Sequence, residues 1–212
     1  MTPPAVQAKD NVYLFYPNLL GYGRIVFGVI SCAFMLHNPW IASVTYFLSA
    51  FLDAFDGHLA SSTRFGAMLD QLTDRLMFMA LLMALGHLYP RGLFFFQMVA
   101  IIDIASHWLH LHAGDLLHRT THKSSDNPIL HYYYTSRPFL FFMCFGNEAF
   151  FGLLYINAWW EDRSTMASIL MPLLLLAAGV IAVAKTAISL VHLVEAAQEV
   201  VLYDTRERLK ND

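Results

Sequence analysis

Four aspartates, Asp53, Asp56, Asp70 and Asp74, fall within FLDAFDGHLASSTRFGAMLDQLTDR, residues 51–75, a stretch that otherwise reads like membrane. Asp53 and Asp56 are three residues apart and Asp70 and Asp74 four apart, so each pair shares one face of its own helix. An antiparallel hairpin turning near Thr63 sets Asp56 level with Asp70. It places Asp53 and Asp74 about a turn deeper, roughly 10 to 15 Å below the turn at ~1.5 Å rise per residue. A charge inside a bilayer costs at least ~2.5 kcal/mol, so converging carboxylates require a neutralising partner. Hard Mg²⁺ or Mn²⁺ meets that need through oxygen ligands, and carboxylates that bridge two such ions let them hold phosphate as well. The structural alternative is that Asp53 or Asp74 caps a helix, or pairs with Arg75 or Arg64 in a salt bridge. Four carboxylates in register on adjoining helices favour the metal.

The elements that must position these groups are membrane spans. The 212 residues are 57% hydrophobic, 15% aromatic and only 14% charged, far from a soluble average. A formal net charge of −3 and the lack of a basic stripe interleaved with aromatics exclude a nucleic-acid partner. Cys32 and Cys144 lie far apart in apolar runs without disulfide or C-x-x-C spacing, as lipid-facing or packing residues do. The start MTPPAVQAKDNVYLFYPN lacks the basic and apolar regions of a secretory signal peptide. Six apolar spans are expected, an all-α integral membrane bundle forming one domain over residues 1–212. Their approximate bounds are Tyr16–Leu36, Trp40–Leu59, Gly66–Tyr89, Leu93–Ala113, Pro138–Trp160 and Met166–Leu193, the last continuing into a charged amphipathic tail ending RERLKND. A polar loop covers residues 114–128. With six spans, Lys9, Arg64, Arg119, Lys123, Arg137, Arg206, Arg208 and Lys210 fall on one side and only Arg91 and Arg163 on the other. That bias places both termini and the turn at residues 60–65 in the cytosol.

Asp53, Asp56, Gly57, Ala60, Gly66, Asp70 and Asp74 resemble the signature D-x2-D-G-x2-A-R-x8-G-x3-D-x3-D of the CDP-alcohol phosphatidyltransferases. Members of that family are six-span enzymes that displace CMP from a CDP-linked lipid or alcohol with metals held by these aspartates. The resemblance implies that Asp53, Asp56 and Asp70 bind the metals, and that Asp74 is the general base with a possible metal contact of its own. It further implies that Gly57, Thr63 and Asn18 approach CDP-diacylglycerol, with Arg24 near the nucleotide site. The segments YPNLLGYGRIVF, DAFDGH, TRFGAMLDQLTDR, ASHWLHLH, HYYYTSRP and GNEAFFGLLY resemble the animal branch of the family whose acceptor alcohol is myo-inositol. The likeness to that branch implies transfer of a phosphatidyl group to myo-inositol in the endoplasmic reticulum membrane, and a homodimer.

The pattern departs from the family at one place. Five residues separate Ala60 from Gly66 where the signature has nine, so four are missing and Ser61 stands where the arginine belongs. Serine does not replace a guanidinium clamp on phosphate, and Arg64 is the candidate substitute. Two further readings stay open: a transferase for another alcohol, and a form impaired by the shortened turn. Asn18 is equally suited to capping the first helix. Arg137 is a candidate for holding inositol or phosphate, against snorkelling to the headgroups. Lys185 has Asp103 or Glu148 as possible partners. His107, His110 and His112 spread over more than one helix face, which disfavours a metal cluster.

Overall fold

The computed structural model describes residues 12–56, 64–117, 128–160 and 165–211. All regular structure in them is helical: α1 (Tyr16–Phe34), α2 (Pro39–Asp56), α3 (Arg64–Leu88), α4 (Leu93–Leu116), α5 (Pro128–Thr135), α6 (Arg137–Trp159) and α7 (Thr165–Asn211). Short 3-10 turns precede α1 at Val12–Leu14 and α4 at Pro90–Gly92. The chain forms two compact units that divide between Ala84 and Leu85.

Helix boundaries follow local chemistry. Pro17 and Pro138 sit in the first turns of α1 and α6, where a missing N–H costs nothing. Asn38, in the His37-Asn38-Pro39 turn, caps α2: its Oδ1 accepts from the backbone N–H of Trp40 and Ile41, each at 3.1 Å. The six expected spans all occur as helices, with one difference: HYYYT, which lies between the expected spans, folds with Pro128–Leu130 into α5, whose Leu130 and Tyr133 are buried. The final span continues into the charged end as expected, α7 running 47 residues as one helix. Among the described residues, four helices, Tyr16–Phe34, Pro90–Leu116, Arg137–Trp159 and Met166–Lys210, are long and apolar enough to cross a membrane. Helices α2 and α3, of 18 and 25 residues, carry the aspartates.

Burial is inverted relative to a water-soluble protein. Outward faces carry Val26, Phe47, Phe94, Ile101, Phe141, Phe145, Leu173 and Val183, all exposed. Asn18, Arg24, Ser31, Ser49 and Thr73 are buried in the first unit, and Asp103, Ser106, His110, Asn147, Lys185, Ser189 and His192 in the second. Such an arrangement suits a lipid solvent, in which polar side chains turn inward and join helices. Both cysteines are free and exposed, as lipid-facing residues are.

In the first unit α1 packs on α2 through two side chain–backbone hydrogen bonds. Ser31 Oγ donates to the Ala42 carbonyl at 2.9 Å, and Ser49 Oγ donates to the Arg24 carbonyl at 3.0 Å. Towards α3, α1 presents Gly21 and Gly28. A Cβ on Gly21 would lie 2.9 Å from Leu69 Cδ2, and one on Gly28 2.1 Å from Met77 Sδ. The two glycines therefore let α1 approach the face of α3 that carries Asp70 and Asp74.

In the second unit α7 packs against both α4 and α6. On α6 and α7 small and large residues alternate: Gly146 receives Ile181, and Gly179 receives Phe150. Phe151, fully buried, lies between Phe95 and Phe96 of α4 at centroid distances of 6.4 and 6.5 Å. The turn before α4 is tied to α6, since Tyr89 Oη donates to the Leu154 carbonyl and accepts from Asn157 Nδ2, both at 3.0 Å.

This packing yields a paired prediction on a single helix. A Cβ on Gly146 would lie 2.6 Å from Ile181 Cγ2 and 3.0 Å from its Cβ, on a β-branched side chain that gives little, whereas a Cβ on Gly152 meets nothing within 4 Å. Gly146→Ala should destabilise the protein by about 1–3 kcal/mol through overpacking. Gly152→Ala should be neutral or stabilising by up to ~1 kcal/mol through helix propensity. Thermal unfolding of both variants in detergent micelles checks the contrast, and equal midpoints would refute it.

Candidate metal and diphosphate site

The site is built on α1, α2 and α3 of the first unit. Asp53 lies on the last turn of α2, and Asp70 and Asp74 on successive turns of α3. One carboxylate oxygen from each of the three lies within 4.8 Å of the other two. The hairpin reading thus brings three of the four aspartates together, Asp53 meeting Asp74 as expected and Asp70 as well. Asp56 is the terminal residue of α2, one turn beyond Asp53. Gly57, Thr63 and the whole shortened segment 57–63 lie outside the described residues.

Between the three carboxylates sits the guanidinium of Arg24, from the middle of α1. Its Nη1 pairs with Asp53 Oδ1 at 2.7 Å and with Asp70 Oδ1, and its Nη2 pairs with Asp74 Oδ1. A planar fork of donors suits this task, because one side chain meets several carboxylates at fixed angles. The Arg24 side chain is only 3% exposed, whereas those of Asp53, Asp70 and Asp74 keep 39%, 26% and 31% exposure. The carboxylates are thus reachable from outside the protein and the guanidinium beneath them is sealed. Arg75 adds a weaker contact from Nη2 to Asp74 Oδ2 at 3.4 Å.

Sequence reasoning places Arg24 near the nucleotide and misses its contact with the acids. The available signal is its register: Asn18, Gly21, Arg24, Gly28 and Ser31 form the buried stripe of α1, so Arg24 has to face the bundle interior. Of the two arginines considered as salt-bridge partners, Arg75 makes the contact. Arg64 opens α3 on an exposed face, six residues before Asp70, and makes no ion pair among the described residues.

Asn18 does not cap α1, because Phe15 occupies the N-cap position. Asn18 is instead buried, with Nδ2 donating to the Val12 carbonyl and thereby holding the preceding turn. Its Oδ1 is buried without a hydrogen-bond partner among the described residues, an acceptor left for a donor from elsewhere.

The remaining candidates lie in the second unit. Arg137 is the first residue of α6 and is exposed. Of the three histidines on α4, His112 points outward, and His110 stacks on His192 of α7 at a centroid distance of 4.1 Å. His107 Nδ1 donates to the Asp103 carbonyl at 2.7 Å and lies 3.6 Å from its Oδ1. His107 also packs against His192, at a centroid distance of 6.0 Å, so two of the three histidines meet a fourth from α7 while His112 stays apart. Asp103 is engaged from its own helix, one turn away. His192 escapes sequence reasoning, since a single histidine in the last span carries no motif.

The donor set of the triad fits a hard divalent cation. It consists of three carboxylates, no sulfur and no imidazole, on rigid helices and open on one side.

Comparison with known proteins agrees with this chemistry. Residues 14–125, which contain the whole triad and Arg24, match the family described as CDP-alcohol phosphatidyltransferase. A mouse protein named CDP-diacylglycerol–inositol 3-phosphatidyltransferase is 47% identical over 209 residues, covering 95% of this chain and 98% of its own. Proteins of the same name from Drosophila melanogaster and Schizosaccharomyces pombe are 42% and 36% identical, covering 96% and 95% of this chain and 92% and 95% of their own. No solved structure matches the chain. On the family match and on identity across nearly its whole length, the chain belongs to the CDP-alcohol phosphatidyltransferases.

Proposed function

We infer that this protein transfers the phosphatidyl group of CDP-diacylglycerol to myo-inositol, forming phosphatidylinositol and CMP. The observation that carries the reading is the convergence of Asp53, Asp70 and Asp74, in a chain 47% identical to relatives named for that reaction. Asp53, Asp56, Asp70 and Asp74 would hold two Mg²⁺ or Mn²⁺ ions, which when bound neutralise the diphosphate and stabilise the departing CMP.

The chain's own residues do the rest. The α2–α3 pair fixes its carboxylates on helices rather than on a loop, which keeps their spacing constant during a substitution that depends on positioning. Asp74 takes the proton of the attacking inositol hydroxyl, a transfer that assists as the new oxygen–phosphorus bond forms. Arg75, beside Asp74 Oδ2, orients that carboxylate. Asn18, with its Oδ1 buried and unpartnered among the described residues, supplies an acceptor on the buried face of α1 for an amino or hydroxyl group of CDP. Gly57 and Thr63 approach the nucleotide from the connection between α2 and α3. Arg64, the first residue of α3 after the segment that lacks the signature arginine, serves the diphosphate. Arg137 holds the polyol or a phosphate at the start of α6. The distribution of basic residues supports a cytosolic face for this chemistry, and the family resemblance supports the endoplasmic reticulum membrane as its location and a homodimer as its assembly.

The reading is checked by inositol-dependent CMP release from CDP-diacylglycerol in the presence of Mn²⁺. Asp74→Asn should lower kcat by at least about a hundredfold with little change in melting temperature; wild-type turnover in that variant would remove Asp74 from the base role. If glycerol or serine supports CMP release as well as myo-inositol does, the acceptor assignment fails. Arg64→Ala should raise KM for CDP-diacylglycerol severalfold while leaving folding intact, and an unchanged KM would show that the shortened turn works without a replacement arginine.

A further inference from the structure

We propose that Arg24 is the resident cation of the metal site: its guanidinium holds the three carboxylates together in the metal-free protein, and the first divalent ion to bind displaces it. The proposal rests on the reading of the aspartate triad as a metal site, and concerns how that site is kept assembled and loaded.

Three observations carry it. Arg24 contacts the Oδ1 atoms of Asp53, Asp70 and Asp74, so it occupies the common focus on which a metal ion would draw. It is also locked from behind. Its own backbone carbonyl accepts from Ser49 Oγ of α2, and Gly21 and Gly28 on either side of it leave room for the Leu69 and Met77 side chains of α3. The guanidinium is therefore presented to the acids by packing and is not a surface side chain that happens to reach them. Charge supplies the third argument. A guanidinium within a few ångströms of a divalent ion repels it, and in a low-dielectric surrounding that repulsion opposes binding strongly.

Arg24 thereby prevents the triad from flying apart when empty, at the expense of metal affinity. A cation fixed to the chain also sets a threshold, because ions bind only at concentrations that outcompete it.

The test measures Mn²⁺ alone, without lipid or inositol, on the full-length protein in detergent, by the paramagnetic resonance of free Mn²⁺ and by thermal unfolding with and without EDTA. Arg24→Gln should bind Mn²⁺ at least about tenfold more tightly than wild type. It should also unfold at a lower temperature in EDTA and gain more from added Mn²⁺ than wild type does. Arg24→Lys keeps the charge and loses the fork, so its affinity should fall between the two. Equal or weaker Mn²⁺ binding in Arg24→Gln overturns the proposal, since it would mean that Arg24 stays and assists the metal. Should Arg24→Gln fail to fold in EDTA, recovery by Mn²⁺ supports the proposal; if Mn²⁺ does not recover it, the Arg24→Lys affinity decides, tighter supporting and equal or weaker overturning. Asp74→Asn separates this inference from the reading beneath it. Mn²⁺ binding that is lost in Asp74→Asn yet unchanged by Arg24 substitution sinks the resident-cation role alone. Binding that no aspartate substitution alters removes the metal site and this proposal together.

Discussion

One buried guanidinium meeting three carboxylates is the constraint around which the first half of the protein is arranged. An arginine at the middle of a membrane-length helix is among the most expensive residues to bury, and so is each of the aspartates it meets. Neither set is tolerable alone, and each neutralises the other. The surroundings serve that contact. Glycines at positions 21 and 28 remove the Cβ atoms that would hold α1 off Leu69 and Met77, and Ser49 of α2 fixes the backbone from which Arg24 projects. The charged focus thus ties α1, α2 and α3 together in addition to their packing, which suits a medium where apolar contact between helices gains little over contact with lipid.

The same solvent logic governs the second half, where it has produced no acid cluster among the described residues. Buried Asp103, Ser106, His110, Lys185, Ser189 and His192 run along α4 and α7 while Phe94, Ile101, Leu173 and Val183 face outward. Here His107 is held by the Asp103 carbonyl one turn earlier, and His107 and His110 both pack on His192 across the α4–α7 seam. The contrast between a focused cluster and a dispersed seam separates chemistry from assembly more clearly than the mere presence of polar residues in a span.

Much of this is legible in the sequence because it depends on short-range periodicity. Spacings of three and four place Asp53, Asp70 and Asp74 on helix faces, and apolar runs bounded by Tyr89-Pro90 and His37-Asn38-Pro39 mark the helix limits. What escapes is long-range. Arg24 lies 29 to 50 residues from its partners, and no motif ties it to them; only its place on the stripe from Asn18 to Ser31 points inward. The level of Asp53 against both Asp70 and Asp74 also depends on how two helices slide along one another, which spacing within each helix does not fix. Asn18 illustrates a different limit. Asparagine near a helix start is chemically suited to a cap, but Phe15 already stands at the boundary, so the side chain reaches back to Val12 instead.

Helix α7 gives the molecule a mechanical property. Its 47 residues span about 70 Å, more than twice the ~30 Å of hydrocarbon a bilayer offers. Because the apolar portion and the charged end are one continuous helix, the two move as a lever. A tilt of roughly 5° about the middle of the apolar portion swings Lys210, about 45 Å away along the axis, by ~4 Å. Small adjustments of the span to bilayer thickness would therefore be magnified at Arg206, Arg208 and Lys210.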